Sequence, residues 1–296
     1  MTPAGTSQLG LPGMGFENRS LFTEHFLEER LPRWETFRSI DPSPCFLEFK
    51  DLWDREKGTI ATANESQTED RLIQPILDIL GFERTVQPNA RLETGRRIPD
   101  YALFTSREDR QVSEQSEGLG RFLSAAALAE AKRIGTPLDK RGAGGTPQED
   151  PEAQILDYMW RTRVAWAILT NGREWRLYGQ AGDLVEAAHF SIPDLPALIE
   201  AEDLEQLRYF LAFFRAESFR PDESGKSFLE QAFAESEANA RMVGDSLRDQ
   251  VFDAVPKIAT GLLGDDERTE DALERAFSNA LVILYRLLFC LYAESR

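Results

Sequence analysis

Leu72, Ile73, Ile76, Leu77, Ile79 and Leu80 recur at the spacing of one helix face. Ser66-Gln67-Thr68-Glu69 opens this stretch as a helix start and Gly81 closes it, so one continuous helix is expected. Glu69 then has two compatible readings: a capping residue reaching back to the backbone of Ser66, or a carboxylate aimed at a neighbouring site. A second helix starts at Asp150-Pro151-Glu152, an N-cap followed by proline in the first turn, and sets Gln154 and Tyr158 one turn apart on one face. The period then changes to that of strands. Residues 164–170 form an apolar run, Asn171-Gly172 is a hairpin signal, and residues 174–178 supply the returning strand.

Outside this centre the pattern is helical. After a loose arm, Phe22, Phe26, Leu27, Leu31 and Trp34 share one stripe, and residues 42–44 read as a break. From Pro193 onward Leu204, Leu207, Phe210, Leu211 and Phe214 share a face, followed by an Ala- and Glu-rich segment and an apolar C-terminal helix. In that last helix Leu281, Leu284, Leu287, Leu288, Phe289 and Leu291 cover most of the circumference, more than one core contact uses, so a further partner or self-association is expected. The polar stretches 106–120 and 135–150 read as long loops. The expected organisation is an N-terminal arm and helices over 1–60, a mixed helix and strand domain over 61–190, and an all-helical connector over 191–296.

Composition narrows the class. A chain of 296 residues with 42% hydrophobic content can bury real cores. Cys45 and Cys290 form no spaced pattern, which argues against a disulfide framework or a zinc site. His25 and His189 are the only histidines, a poor basis for a His-metal nuclease or a Ser-His-Asp hydrolase. Residues 2–15 lack the basic start and apolar core of a signal peptide, and the apolar run 281–293 falls short of the ~20 residues a membrane span takes and contains Arg286. A cytoplasmic protein with no membrane contact is expected.

The chemistry sits between residues 99 and 132. Pro99-Asp100 is followed, after a polar stretch, by Glu130-Ala131-Lys132. Two carboxylates can hold Mg²⁺ while an ammonium orients or deprotonates an attacking water, the set a phosphodiesterase uses. Glu130 and Lys132 share a face only on a strand, because residues two apart on a helix diverge. Residues 124–132 are rich in Ala, Leu, Glu and Lys, so local propensity favours a helix and the two readings stand side by side.

The ordered set Glu69, Pro99-Asp100, Glu130-x-Lys132, Gln154-x-x-x-Tyr158 and Leu169-Thr170-Asn171-Gly172 resembles the PD-(D/E)xK nuclease domain at the N-terminus of type I restriction subunits and of type IIG and IIL restriction-modification enzymes. Residues 21–34, 67–82, Gly135-Thr136-Pro137-Leu138-Asp139, and the closing stretches 284–289 and 292–294 are similar as well. The resemblance implies an α/β fold, with a restriction-endonuclease-like mixed central sheet flanked by helices and followed by the helical connector. It implies that Asp100 and Glu130 bind Mg²⁺ or its substitute Mn²⁺, that Lys132 assists the water, and that Gln154 lies beside the site; the second reading of Glu69, from its place on the neighbouring helix, makes it a third carboxylate aimed at the metal. Double-stranded DNA is the implied substrate. Methyltransferase and target-recognition domains are the implied partners, but these residues hold no Asn-Pro-Pro step and no glycine-rich S-adenosylmethionine loop: Gly142-Ala143-Gly144-Gly145 lies in a polar stretch.

A net charge of −17 opposes autonomous DNA binding, which draws on cations that displace counterions. The charge is uneven, however. Arg91, Arg96 and Arg97 precede Asp100, while Arg133, Lys140, Arg141, Arg161, Arg163 and Arg173 surround the other motifs. Arg97, Arg133, Lys140, Arg141 and Arg173 are the candidate DNA contacts. The acidic excess falls in segments such as 200–205 and 265–274, which suits a cleavage module presented to DNA by a separate recognition domain. Two other readings are a catalytically silent nuclease-fold scaffold binding a protein partner in a phage-defence complex, and an acidic helical interaction protein. The intact trio disfavours the first, because burying unpaired charge is costly, and Asn171-Gly172 and Pro99-Asp100 disfavour the second.

Overall fold

The computed structural model describes residues 15–88, 98–139, 150–181, 184–263 and 269–294. A seven-stranded sheet forms its centre, with strands β1 (Glu17–Arg19), β2 (Glu83–Val86), β3 (Tyr101–Phe104), β4 (Ala127–Ala131), β5 (Trp166–Thr170), β6 (Trp175–Ala181) and β7 (Leu184–Ile192). Their order is β1-β7-β6-β5-β4-β3-β2. Every neighbouring pair is antiparallel except β4 and β5. A parallel pair needs a crossover connection, and the only helix described between these two strands is the one that starts at Asp150.

Helices cover the sheet: α1 (Glu35–Arg38), α2 (Ser43–Glu56), α3 (Glu65–Thr68), α4 (Gln74–Ile79), α5 (Arg107–Gln115), α6 (Pro151–Thr162), α7 (Leu195–Glu200) and α8 (Leu204–Phe214). Strand alternation divides the apolar side chains into two cores. One face carries Tyr101, Leu103, Ala129, Ile168, Trp175 and Leu177 and packs with the N-terminal helices and α8; its centre is aromatic, with Phe190 and Phe213 rings 4.4 Å apart and Phe210 stacked on Phe214 at 5.0 Å. The other carries Ala102, Phe104, Leu128, Leu169 and Tyr178 and packs against Ile155, Tyr158 and Met159 of α6. The first compact unit runs through Ser236, so α7 and α8 share a core with the strands that precede them.

Several expectations are corrected. The arm expected before the first helices pairs in part with the sheet, Asn18 lying opposite Phe190 on β7. The stretch 106–120, expected as a loop, contains α5, whose N-cap Ser106 accepts a hydrogen bond from the Asp109 amide at 3.1 Å. Its residues are almost all polar, so it lacks the apolar stripe by which helices are read from sequence. The continuous helix expected from Ser66 is capped instead by Asn64, which exchanges hydrogen bonds with Gln67, and is interrupted by a π-turn over Glu69–Ile73 between α3 and α4. The capping reading of Glu69 therefore falls, since Asn64 and Gln67 already form the box. Residues 42–44 start α2, with Pro44 in a first turn where its missing N–H costs nothing.

The second compact unit, Glu237–Arg296, takes in the distal part of α9 (Phe228–Leu263) and all of α10 (Glu270–Glu294). Among the described residues Val255, Ala276 and Ala280 are its buried apolar ones, whereas Phe252, Phe277, Tyr285, Leu287 and Phe289 are all more than half exposed. No helix among the described residues is long and apolar enough to cross a membrane.

Candidate active site

Residues 127–131 are a strand, so the choice left open by propensity goes to the arrangement that places Glu130 and Lys132 on one face. The residues flanking Glu130 explain why. Ala127, Leu128, Ala129 and Ala131 are all at most 1% exposed, and a strand between two partners satisfies both backbone edges of a fully buried segment. Tyr101 pairs with Ala129 on antiparallel β3, which puts Asp100 opposite Glu130 one step further along. Asp100 is fixed there by accepting a hydrogen bond from the Ala131 amide at 2.9 Å. Lys132 donates its amide to the Thr170 carbonyl at 2.8 Å, prolonging the β4–β5 ladder, and its ammonium lies 2.5 Å from Glu130 Oε1.

The electrostatics of this trio are unbalanced. Two carboxylates share one ammonium, and Glu130 is 2% exposed. Burial, reinforced by the charge of Asp100 and only partly offset by Lys132, pushes the Glu130 carboxyl up to about 7. Burial also raises Asp100, against the opposing Ala131 amide and Lys132. Glu130 Oε2 is buried without a hydrogen-bond partner. An orphaned anionic oxygen beside a second carboxylate is the environment a hard divalent cation relieves, so the residues present fit Mg²⁺ or Mn²⁺. Among the described residues no three His, Cys, Asp or Glu side chains gather closely enough to hold a metal ion. The fit thus rests on Asp100 and Glu130, which suits Mg²⁺, a cation that usually takes one or two carboxylates and completes its shell with water and phosphate oxygens.

Glu69 begins the π-turn, and its carboxylate accepts a hydrogen bond from the Tyr101 hydroxyl. Burial raises its pKa, and the nearby Asp100 charge adds to the effect, so Glu69 borders the pair. Gln154 Nε2 donates to the Tyr158 hydroxyl at 2.7 Å on α6. Tyr158 is buried, and its hydroxyl is held above its ordinary range by burial first and by the Glu130 charge second, which sets this helix face beside the trio. Arg133 is exposed immediately after Lys132. Arg173, also exposed, forms an ion pair with Asp194 at 2.6 Å. Arg97, Lys140 and Arg141 lie outside the described residues, as do Arg91, Arg96 and the rest of the loop expected over 135–150 from Gly142 to Glu149, Gly144 and Gly145 included.

A second polar group on the same sheet face was not anticipated. Arg176 on β6, 3% exposed, lies 2.5 Å from both Asp139 Oδ1 and Glu174 Oε1, and Arg19 approaches Asp139 at 3.5 Å. Beside it His189 is buried near Glu152, with Nδ1 3.6 Å from Oε1, and Tyr178 donates to the same carboxylate at 3.2 Å. Burial and the Arg176 charge lower His189 to about 4, so its ring is neutral at pH 7. The available signal was Arg176 itself, the one charge on β6, set between Trp175 and Leu177.

Comparison with family models, with curated proteins and with solved structures returns no match to this chain.

Proposed function

We propose that this chain is a Mg²⁺-dependent endonuclease module of the PD-(D/E)xK class, hydrolysing phosphodiester bonds in double-stranded DNA within a cytoplasmic restriction-modification system. The observation that carries this reading is the grouping of Asp100, held on the Ala131 amide, with Lys132 on Glu130 Oε1, while Glu130 Oε2 is buried without a hydrogen-bond partner. The sheet is read as a restriction-endonuclease-like core, with β3 and β4 presenting the carboxylates and α6 laying Gln154 and Tyr158 alongside. When bound, the cation would polarise the phosphate and acidify a water. Asp100 and Glu130 would hold it through carboxylate oxygens. Lys132, released from Glu130 once that charge is shared, would orient the water or meet charge developing on the phosphate.

With a net charge of −17, the module would depend on other domains to deliver DNA. The exposed apolar side chains of α10 suit packing against such a domain, for which methyltransferase and target-recognition partners are the implied candidates. Calorimetry with Mn²⁺ on the parent chain and on Asp100→Ala tests the reading: the parent is expected to bind and the variant to lose most of that binding. Equal binding by the two overturns it.

A further inference from the structure

The segment from Arg133 to Asp139 leaves β4 directly after Lys132 and is held at successive points along its length. The Ile134 amide donates to Thr68 Oγ1 at 3.3 Å, one residue before Glu69. The Thr136 carbonyl accepts from Asn171 Nδ2 at 2.8 Å in the β5–β6 turn. Leu138 is 1% exposed within the core on the α6 face. Asp139 then meets Arg176, whose other carboxylate partner, Glu174, leaves it fully engaged. Register links this anchor to the site: Glu130 lies opposite Leu169 and Leu169 opposite Arg176, so Arg176 occupies the Glu130 row about 10 Å away, two strand spacings.

We infer that Arg133–Asp139 is a strap that positions Lys132, with the Arg176–Asp139 pair as its lock; the inference rests on the nuclease reading for what Lys132 does, but not for how the strap is held. Lys132 lies just beyond the end of β4, where one backbone bond to Thr170 constrains it on the strand side. On its other side the strap is the constraint. Arg176 and Asp139 are positioning residues acting through the backbone, since their charges are spent on one another, on Glu174 and on Arg19. Displacements of about 1 Å at a catalytic group can cost on the order of 10²-fold in rate, so a loosened strap should appear in turnover before it appears in stability.

Asp139 is half exposed, so Asp139→Asn changes charge without opening a core. Backbone hydrogen exchange on the full chain is expected to accelerate about tenfold at Lys132, Ile134 and Thr136 while β6 and β7 stay protected, because the loosening is local. Plasmid nicking with Mg²⁺ should lose about tenfold in kcat with KM and Mn²⁺ affinity unchanged, the signature of an interaction felt in the transition state, and Asp139→Glu should recover most of it. Arg176→Lys, which keeps the charge but not the two-pronged geometry, should fall between them. Unchanged exchange over 132–136 overturns the inference. So does acceleration spreading through β6 and β7, or faster local exchange with kcat intact. A parent chain that binds no Mn²⁺ refutes the nuclease reading instead, and exchange confined to the strap then decides the lock by itself.

Discussion

The two compact units make opposite use of apolar residues. Through Ser236 the aromatic centre is enclosed, with Trp175, Phe190, Phe210, Phe213 and Phe214 all at most 2% exposed, and Arg176 enters the interior paired with Asp139 and Glu174. From Glu237 onward Phe252, Tyr285, Leu287 and Phe289 stand in the open, and the buried positions among the described residues are Asn239, Val255, Ala276 and Ala280. A sheet covered by helices has an inside where carboxylates can be desolvated and their proton affinities moved. Two long helical segments have little inside, so the proposed chemistry is assigned to the first unit and the proposed association to the second.

The sharpest test of this contrast compares two phenylalanines. Phe210→Ala should destabilise the first unit by about 3–5 kcal/mol, because it opens a cavity in a packed aromatic core, whereas Phe289→Ala should stay within about 0.5 kcal/mol. Urea titration of both variants checks this, and equal costs would erase the distinction. Next in size, Lys132→Ala should cut plasmid nicking by about 10²–10³-fold while leaving the unfolding midpoint and Mn²⁺ affinity nearly unchanged. Retained activity would return Lys132 to a plain partner of Glu130.

The pH dependence of the metal-free chain gives a smaller effect with a definite sign. Glu130 titrates near 7 when folded and near 4.5 as an ordinary glutamate, so between these values the folded state binds the extra proton and stability falls as pH rises. Glu130→Gln should therefore stabilise the metal-free chain at pH 8 by on the order of 1–3 kcal/mol and flatten this limb. His189 runs the other way: its folded pKa of about 4 lies below the ordinary 6.5, so it withdraws stability as pH falls through that interval. The Glu130 limb is thus read most cleanly near and above pH 6.5, by thermal melts of parent and variant with chelator present. The smallest effect on stability is expected in α10. Leu287→Glu with Phe289→Glu should change unfolding by about 0.5 kcal/mol or less, yet abolish any concentration-dependent association seen by sedimentation of the parent. A parent that remains monomeric across the concentration series would leave this apolar face without a self-partner.

Local signals were legible wherever one short segment carried its own reason. Asp150-Pro151 starts α6 as expected, and Asn171-Gly172 turns β5 into β6, with Gly172 at φ +83° where a Cβ would also strike Leu72. Residues Leu207, Phe210, Leu211 and Phe214 are buried together on α8. The polar helix α5 and the edge strand β1 were missed because neither shows its hydrophobic period. The π-turn at Glu69 was hidden for a different reason: an extra residue in a helical turn leaves the apolar spacing almost unchanged.

By itself the sequence determined the chemistry available: which carboxylates and which lysine exist, their order along the chain, and the caps and turns that depend on a few adjacent residues. Only tertiary structure decided that residues 127–131 are a strand, because intrinsic propensity differs by tenths of a kcal/mol per residue while burial between β3 and β5 leaves no other way to satisfy both backbone edges. It also decided that Asp100 faces Glu130, that Glu130 titrates near 7, and that Arg176 locks onto Asp139. Desolvation and Coulomb energy depend on distances between groups roughly thirty or more residues apart in the chain, and such distances exist only once the sheet has closed.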